Sequence, residues 1–193
     1  MARRSRPKIR AVLLAPGAGA SSEHRTLTAL ADALEPLPVR RMDFPYRLAG
    51  RRAPDRAPVL LDAVRTQLDD LCAEVGCGRD GLVVGGRSMG GRICSMVAAE
   101  GPPVAGVVLL SYPLHPPGKP DRLRVDHFAD LDVPCLFVAG EKDPFGSPAE
   151  IEEHIRRIPG PTTLHWLPGG HEPKPALDPE ICGFVTSWIA ALG

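Results

Sequence analysis

Gly81-Leu82-Val83-Val84-Gly85-Gly86-Arg87-Ser88-Met89-Gly90-Gly91-Arg92 is the stretch whose reading decides the fold. A short apolar run of strand character ends at paired glycines and presents one serine. It then passes into Ile93, Met96 and Val97 at helical spacing. Gly86-Arg87-Ser88-Met89-Gly90 fits G-x-S-x-G, the pattern of a serine carried on a sharp turn from strand to helix. So tight a turn holds strained backbone, and the residues two before and two after the serine crowd the flanking elements, which favours positions without a Cβ. Ser88 then stands at a helix N-terminus, where free N–H groups and the helix dipole favour developing negative charge. A glycine-rich turn with an incidental serine would read the same way, so the remainder of the chain has to supply the partners a nucleophile needs.

Upstream, residues 9–15 form an apolar run closed by Pro16, the pattern of a buried strand. The run follows the basic residues Arg3, Arg4, Arg6 and Lys8, as the apolar part of a signal peptide would. Arg10 interrupts it and Pro16-Gly17 ends it, which favours the strand. Residues 1–8 are expected to be a flexible basic start and 9–193 a single domain. Ser21 or Ser22 is placed to cap a helix with Leu27, Leu30, Ala31 and Leu34 on one face. Residues 39–44 read as a second strand and 45–58 as a loop rich in arginine and proline. Leu60, Leu61, Val64, Leu68, Leu71 and Val75 mark an amphipathic helix stopped at Gly76 and Gly78.

Beyond the serine turn, residues 104–110, 133–139 and 162–167 read as strands, with a long proline-rich connection between the first two. Ser147-Pro148-Ala149-Glu150 has the form of a capping box, opening a helix with Ile151, Ile155 and Ile158 as its stripe. Asp178-Pro179 opens a last helix carrying Ile181, Val185, Trp188, Ile189 and Leu192. This alternation predicts an α/β fold, a mostly parallel central sheet of about six strands with helices on both faces. Right-handed crossovers would bring the carboxyl end of every strand to one edge, where ligand sites of such sheets gather.

The composition restricts the partners. Lys+Arg and Asp+Glu each number 23 in 193 residues, so charge offers no argument for nucleic acid or an anionic membrane. Hydrophobic content of 44% with no long apolar segment suits a soluble domain with a sizeable core. Cys72, Cys77, Cys94, Cys135 and Cys182 are odd in number and show no metal-ligand spacing. They read as buried thiols of a cytoplasmic protein, and no metal or cofactor is called for.

The residues just past the expected strand ends are Gly17-Ala18, Ser88, Asp143 and His171. A serine hydroxyl needs a base within hydrogen-bond reach, itself oriented by a third group. His171, in the glycine-rich loop 167–171, is the candidate base, and Asp143, in 140–145, the candidate orienting acid. Glu141 competes for the acid's place, but Asp143 lies deeper in its loop and beside the rigid Pro144. His24, His154 and His165 fall in a first helical turn, on a helix's polar face and inside a strand. His115 and His127 lie in the long connection, with structural hydrogen bonding expected of them. An oxyanion hole is expected from the backbone N–H of Met89 and of Ala18. Gly17, Arg87, Arg47 and His115 are candidates for substrate binding, and Arg47, Arg51, Arg52, Arg87 and Arg92 could set a guanidinium against a substrate carboxylate.

Four blocks carry a family resemblance. They are Phe44-Pro45-Tyr46-Arg47 with Gly50-Arg51-Arg52-Ala53-Pro54-Asp55, residues 85–92, the long proline block 112–120, and Gly140-Glu141-Lys142-Asp143-Pro144-Phe145-Gly146. With these the chain resembles the α/β-hydrolase superfamily, in particular its compact dienelactone-hydrolase-like branch. It is similar to small bacterial members related to the hydrolase-like domain of testis-expressed and NSL-complex proteins. The resemblance implies a minimal α/β-hydrolase fold without a cap domain, the same three site positions, and hydrolysis of a small ester or related acyl bond. It departs in two places: Pro16-Gly17 stands where many hydrolases have His-Gly, and Ser88 stands where dienelactone hydrolases have cysteine. A hydrolase-shaped interaction module and an acyl transferase are the other readings that these residues admit.

Overall fold

In the computed structural model, which describes residues 8–193, six strands run parallel in one sheet. They are β1 (Ala11–Ala15), β2 (Val39–Arg41), β3 (Leu82–Arg87), β4 (Gly106–Leu110), β5 (Cys135–Gly140) and β6 (Thr162–Leu167), in the spatial order β2-β1-β3-β4-β5-β6. Arg3, Arg4 and Arg6 of the expected basic start lie outside the described residues. The helices are α1 (Arg25–Ala33), α2 (Pro45–Leu48), α3 (Ala57–Val75), α4 (Met89–Glu100), α5 (Pro148–Ile155) and α6 (Asp178–Leu192).

Alternation along each strand divides the core into two layers. Leu13, Val84, Leu109 and Phe137 point to the face covered by α3 and α4, where Val64, Leu68, Ile93 and Val97 complete the layer. Leu14, Val83, Val108 and Leu136 point to the other face, where Leu27 and Leu30 of α1 and Ile181, Val185 and Ile189 of α6 meet them. Strands covered on both faces need no polar positions, which is why β1 and β3–β5 are nearly continuous apolar runs. The chain moves outward from β1 to β2 and then crosses to β3 on β1's other side, so the sheet changes winding direction between β1 and β3. The crevice beyond those two carboxyl ends is where such a sheet leaves room for a ligand.

Several local expectations change. The cap of α1 is His24, whose ring accepts from the Thr26 N–H. Ser22 instead gives its N–H and hydroxyl to Asp43, at 2.8 and 2.7 Å. That pairing turns the chain away after Arg41, so β2 is shorter than residues 39–44. The arginine-rich loop contains the single-turn α2, started by Pro45 and anchored by buried Tyr46. His154 is buried: three residues from Ile151, it falls on that helix's apolar side and not its polar one. Cys94, Cys135 and Cys182 are buried, but Cys72 and Cys77 are only partly so.

The proline-rich connection is folded down onto the sheet edge. Tyr112 donates its hydroxyl to the Arg124 carbonyl at 2.5 Å, and its ring packs against Phe128 and Phe137 with centroids 5.3 and 6.0 Å away. His127 binds the hydroxyl of Ser95 on α4 through Nε2 at 2.8 Å. Burial, and next the positive charge of Arg92, hold His127 down to about 4. An unfolded chain takes up this proton near the ordinary value of about 6.5, so protonation favours the unfolded state between those limits. The stability His127 carries is therefore complete above about pH 6.5 and is lost as the pH falls toward 4, an effect on the order of 2–3 kcal/mol. In His127→Gln, urea unfolding measured across that window should show a flatter acid limb than the parent.

Candidate active site

Ser88 sits between β3 and α4 with φ 50° and ψ −118°, a conformation that side-chain-bearing residues rarely adopt. Its surroundings hold it there. The Ser88 N–H donates to the Leu110 carbonyl at 2.8 Å and its own carbonyl accepts from the Arg92 N–H at 3.0 Å. The turn is pressed against the end of β1: a Cβ on Gly86 would lie 2.0 Å from the Ala15 carbonyl oxygen, and one on Gly90 2.3 Å from it. Any side chain at either position would drive β1 away from the turn.

The other two residues arrive from the next strand ends on the same edge. Asp143 follows β5 and is 5% exposed; its Oδ1 accepts the Phe145 N–H at 2.8 Å, which fixes the carboxylate. Its Oδ2 faces His171 Nδ1 at 2.8 Å, and His171 Nε2 faces Ser88 Oγ at 2.8 Å. With the Nδ1 proton donated to Asp143, Nε2 is left to accept from the serine hydroxyl. Glu141 is exposed and takes no part. Phe145, which the sequence reading passed over, stacks on the imidazole with centroids 4.0 Å apart and planes 29° from parallel. Its only sequence signal is its place two residues after the acid.

Arg87, almost wholly buried, ties down the histidine loop. It donates to the His171 carbonyl at 3.0 Å and pairs with Glu172. Arg25 of α1 also reaches Glu172 and pairs with Asp178 at the start of α6, so the loop is laced to both helices on that face. Burial is the main influence pulling Arg87 below the usual guanidinium range, and burial followed by the Arg87 charge lowers His24 from the ordinary imidazole value.

A cavity of about 470 Å³ opens beside Ser88 and His171, lined by Ala18 and Met89 among others. Met89 is the first residue of α4 and its N–H has no acceptor within the helix. Gly17 lies against both residues of the turn: its Cβ would be 3.2 Å from Arg87 Nη1 and 3.5 Å from Ser88 Cβ. Arg47 and His115 do not line the cavity. Arg47 donates to the Arg51 carbonyl, and His115 is buried with Nδ1 on the Pro116 carbonyl at 2.8 Å.

A serine at the tip of β3, a histidine and a buried carboxylate on a parallel sheet's carboxyl edge are the arrangement of a hydrolase fold. The chain belongs to the alpha/beta hydrolase domain family, whose model matches residues 8–178. Among solved structures it is similar to a dienelactone hydrolase from Anabaena variabilis, with 20% identity, a TM-score of 0.77, and 95% of this chain and 87% of that chain covered. It is also similar to Est1E from Butyrivibrio proteoclasticus with ferulic acid bound, at 14% identity, a TM-score of 0.75, and coverage of 96% and 90%. A monoacylglycerol lipase from Paleococcus ferrophilus matches at 14% identity and a TM-score of 0.73 over 97% of each chain.

Because the Ala15 carbonyl occupies the space, Gly86→Ala should cost at least about 3 kcal/mol, the scale of overpacking plus strained backbone. Soluble yield and urea unfolding read this directly, and a variant as stable as the parent would contradict the packing described.

Proposed function

We propose that this protein is a serine hydrolase that cleaves a small ester or related acyl bond through an acyl-enzyme on Ser88. The observation that carries the reading is the unbroken relay of Ser88, His171 and Asp143, two contacts of 2.8 Å each, opening onto a cavity. Ser88 Oγ attacks the acyl carbon as its proton passes to His171 Nε2. The carbonyl oxygen becomes an oxyanion, and the backbone N–H groups of Met89 and Ala18 are the donors assigned to it. The imidazolium, steadied by Asp143 and kept flat under Phe145, returns the proton to the departing alkoxide, and the alcohol leaves. Water then attacks the acyl-enzyme, giving its proton to His171. Collapse of that intermediate frees the acid and restores the Ser88 hydroxyl.

A dienelactone hydrolase and a monoacylglycerol lipase among the structural neighbours agree with this chemistry. Five cysteines without a disulfide fit a reducing, cytoplasmic setting. The substrate is a small molecule, with neither nucleic acid nor membrane required; no described helix is long and apolar enough to cross a membrane.

A fluorophosphonate probe should label the protein and fail to label Ser88→Ala. In Asp143→Asn the histidine presents the wrong tautomer, and kcat on a reactive ester such as 4-nitrophenyl acetate should fall by about 10⁴-fold. Failure of the probe to label the parent would remove the hydrolase reading and leave an interaction module in its place, and unchanged labelling of Ser88→Ala would show that Ser88 is not the nucleophile.

A further inference from the structure

The cavity wall carries more positive charge than it neutralises. Its charged side chains are Arg87, Arg92, Arg124 and Asp55. Arg87 is spent on Glu172, and Asp55 has one oxygen on Arg51 at 2.7 Å, the other being buried without a partner. Arg92 and Arg124 are left. Neither forms an ion pair among the described residues, and Arg92 Nε is buried with no hydrogen-bond partner. They come from separate elements, Arg92 from α4 one turn beyond Ser88 and Arg124 from the connection between β4 and β5. The two are close enough for burial and then the like charge of Arg92 to pull Arg124 below the usual guanidinium range. Both also border a shallow neighbouring groove containing Glu100, Asp126 and Asp130. Glu100 is taken by Arg65, and none of the three pairs with either guanidinium.

Two half-buried guanidiniums without a counter-ion are costly, and an oxyanion held between them would remove that cost through charge-assisted bonds. Four helical residues rise about 6 Å, so Arg92 stands one turn from Ser88, and Arg124 lines the same cavity as both. We infer that Arg92 and Arg124 form an anion subsite, and that the substrate is an ester bearing a carboxylate or phosphate a short distance from the scissile bond. This deepens the hydrolase reading and rests on it for the reaction, though not for the binding. Of the five arginines singled out in the sequence, Arg47, Arg51 and Arg87 have acceptors elsewhere and Arg52 is exposed. Only Arg92 remains, and Arg124 joins it.

The test compares kcat/KM for the monoethyl esters of succinate, glutarate and adipate with that for ethyl butanoate, pentanoate and hexanoate, their length-matched neutral counterparts. The best half-ester should exceed its neutral match by at least about 10-fold. That ratio should fall about 10- to 100-fold in Arg92→Gln and in Arg124→Gln, with part of it kept in Arg92→Lys. Melting temperatures establish that each variant is folded. A ratio near one in the parent, unmoved by either substitution, overturns the inference while leaving the hydrolase intact. Calorimetric titration of Ser88→Ala with adipate and with inorganic phosphate needs no turnover. Binding lost in the added double substitution Arg92→Gln, Arg124→Gln supports the subsite even if no ester is cleaved, and the tighter of the two ligands identifies the anion. Absence of binding by either ligand counts against it.

Discussion

The active edge depends on how closely the backbone of β1 approaches the turn after β3. The carbonyl of Ala15 occupies the space that a Cβ at Gly86 or Gly90 would fill. This contact lets the turn be sharp enough to hold Ser88 at φ 50° and to aim its hydroxyl out of the sheet. The same contact brings Gly17 and Ala18, immediately beyond β1, beside the serine. One steric condition thus sets the posture of Ser88 and brings the backbone beyond β1 next to it. Strain of about 1–3 kcal/mol at such a residue persists only where the surrounding packing over-determines it, and here the sheet on one side and the first turn of α4 on the other supply that packing.

Charge is arranged to keep the histidine still. His171 sits on a loop held from behind by buried Arg87, whose guanidinium spans the His171 carbonyl and Glu172. Glu172 in turn meets Arg25, and Arg25 meets Asp178, so the histidine's position is referred to α1 and α6. Isolated exposed pairs contribute little, but a network anchored on a buried member restricts geometry even where its net stabilisation is small. Asp143 is treated differently: nearly inaccessible, it has a backbone N–H on one oxygen and the imidazole on the other.

Much of this is legible in the chain. The parallel sheet follows from apolar runs alternating with amphipathic segments, and a parallel sheet forces strand ends to one edge, so Ser88, Asp143 and His171 can be placed together without coordinates. The choice of Asp143 over Glu141 also comes from the chain itself, from its depth in the loop and the rigid Pro144 beside it. What cannot be read is set by tertiary contacts of long sequence separation. Ser22 is a good cap by type, yet Asp43, 21 residues away, claims it and His24 caps the helix instead. Charge pattern assigns His154 to a polar face, whereas its spacing to Ile151 puts it on the apolar one. Phe145 has only its place two residues after Asp143 to mark it, and Arg124 reaches the cavity because the β4–β5 connection folds back over it, which no local pattern marks.

The placement of the β4–β5 connection bears on what the site can select. In a fold with this little outside its sheet and helices, the walls of the cavity must come from elements that also hold the core together. Pro113 and Arg124 both line the cavity, and both belong to the segment that Tyr112, Phe128 and His127 fasten to the sheet and to α4. Arg124's own carbonyl is the acceptor of the Tyr112 hydroxyl, so the residue offering a guanidinium to the cavity is also a fastening point of the connection. The backbone there has little freedom to shift without giving up buried aromatic contacts, and an unsatisfied buried hydroxyl would cost about 1–3 kcal/mol more. The wall that carries Pro113 and Arg124 is therefore held rigid, and the charge and shape it presents to the cavity are set by the same contacts that hold the core together.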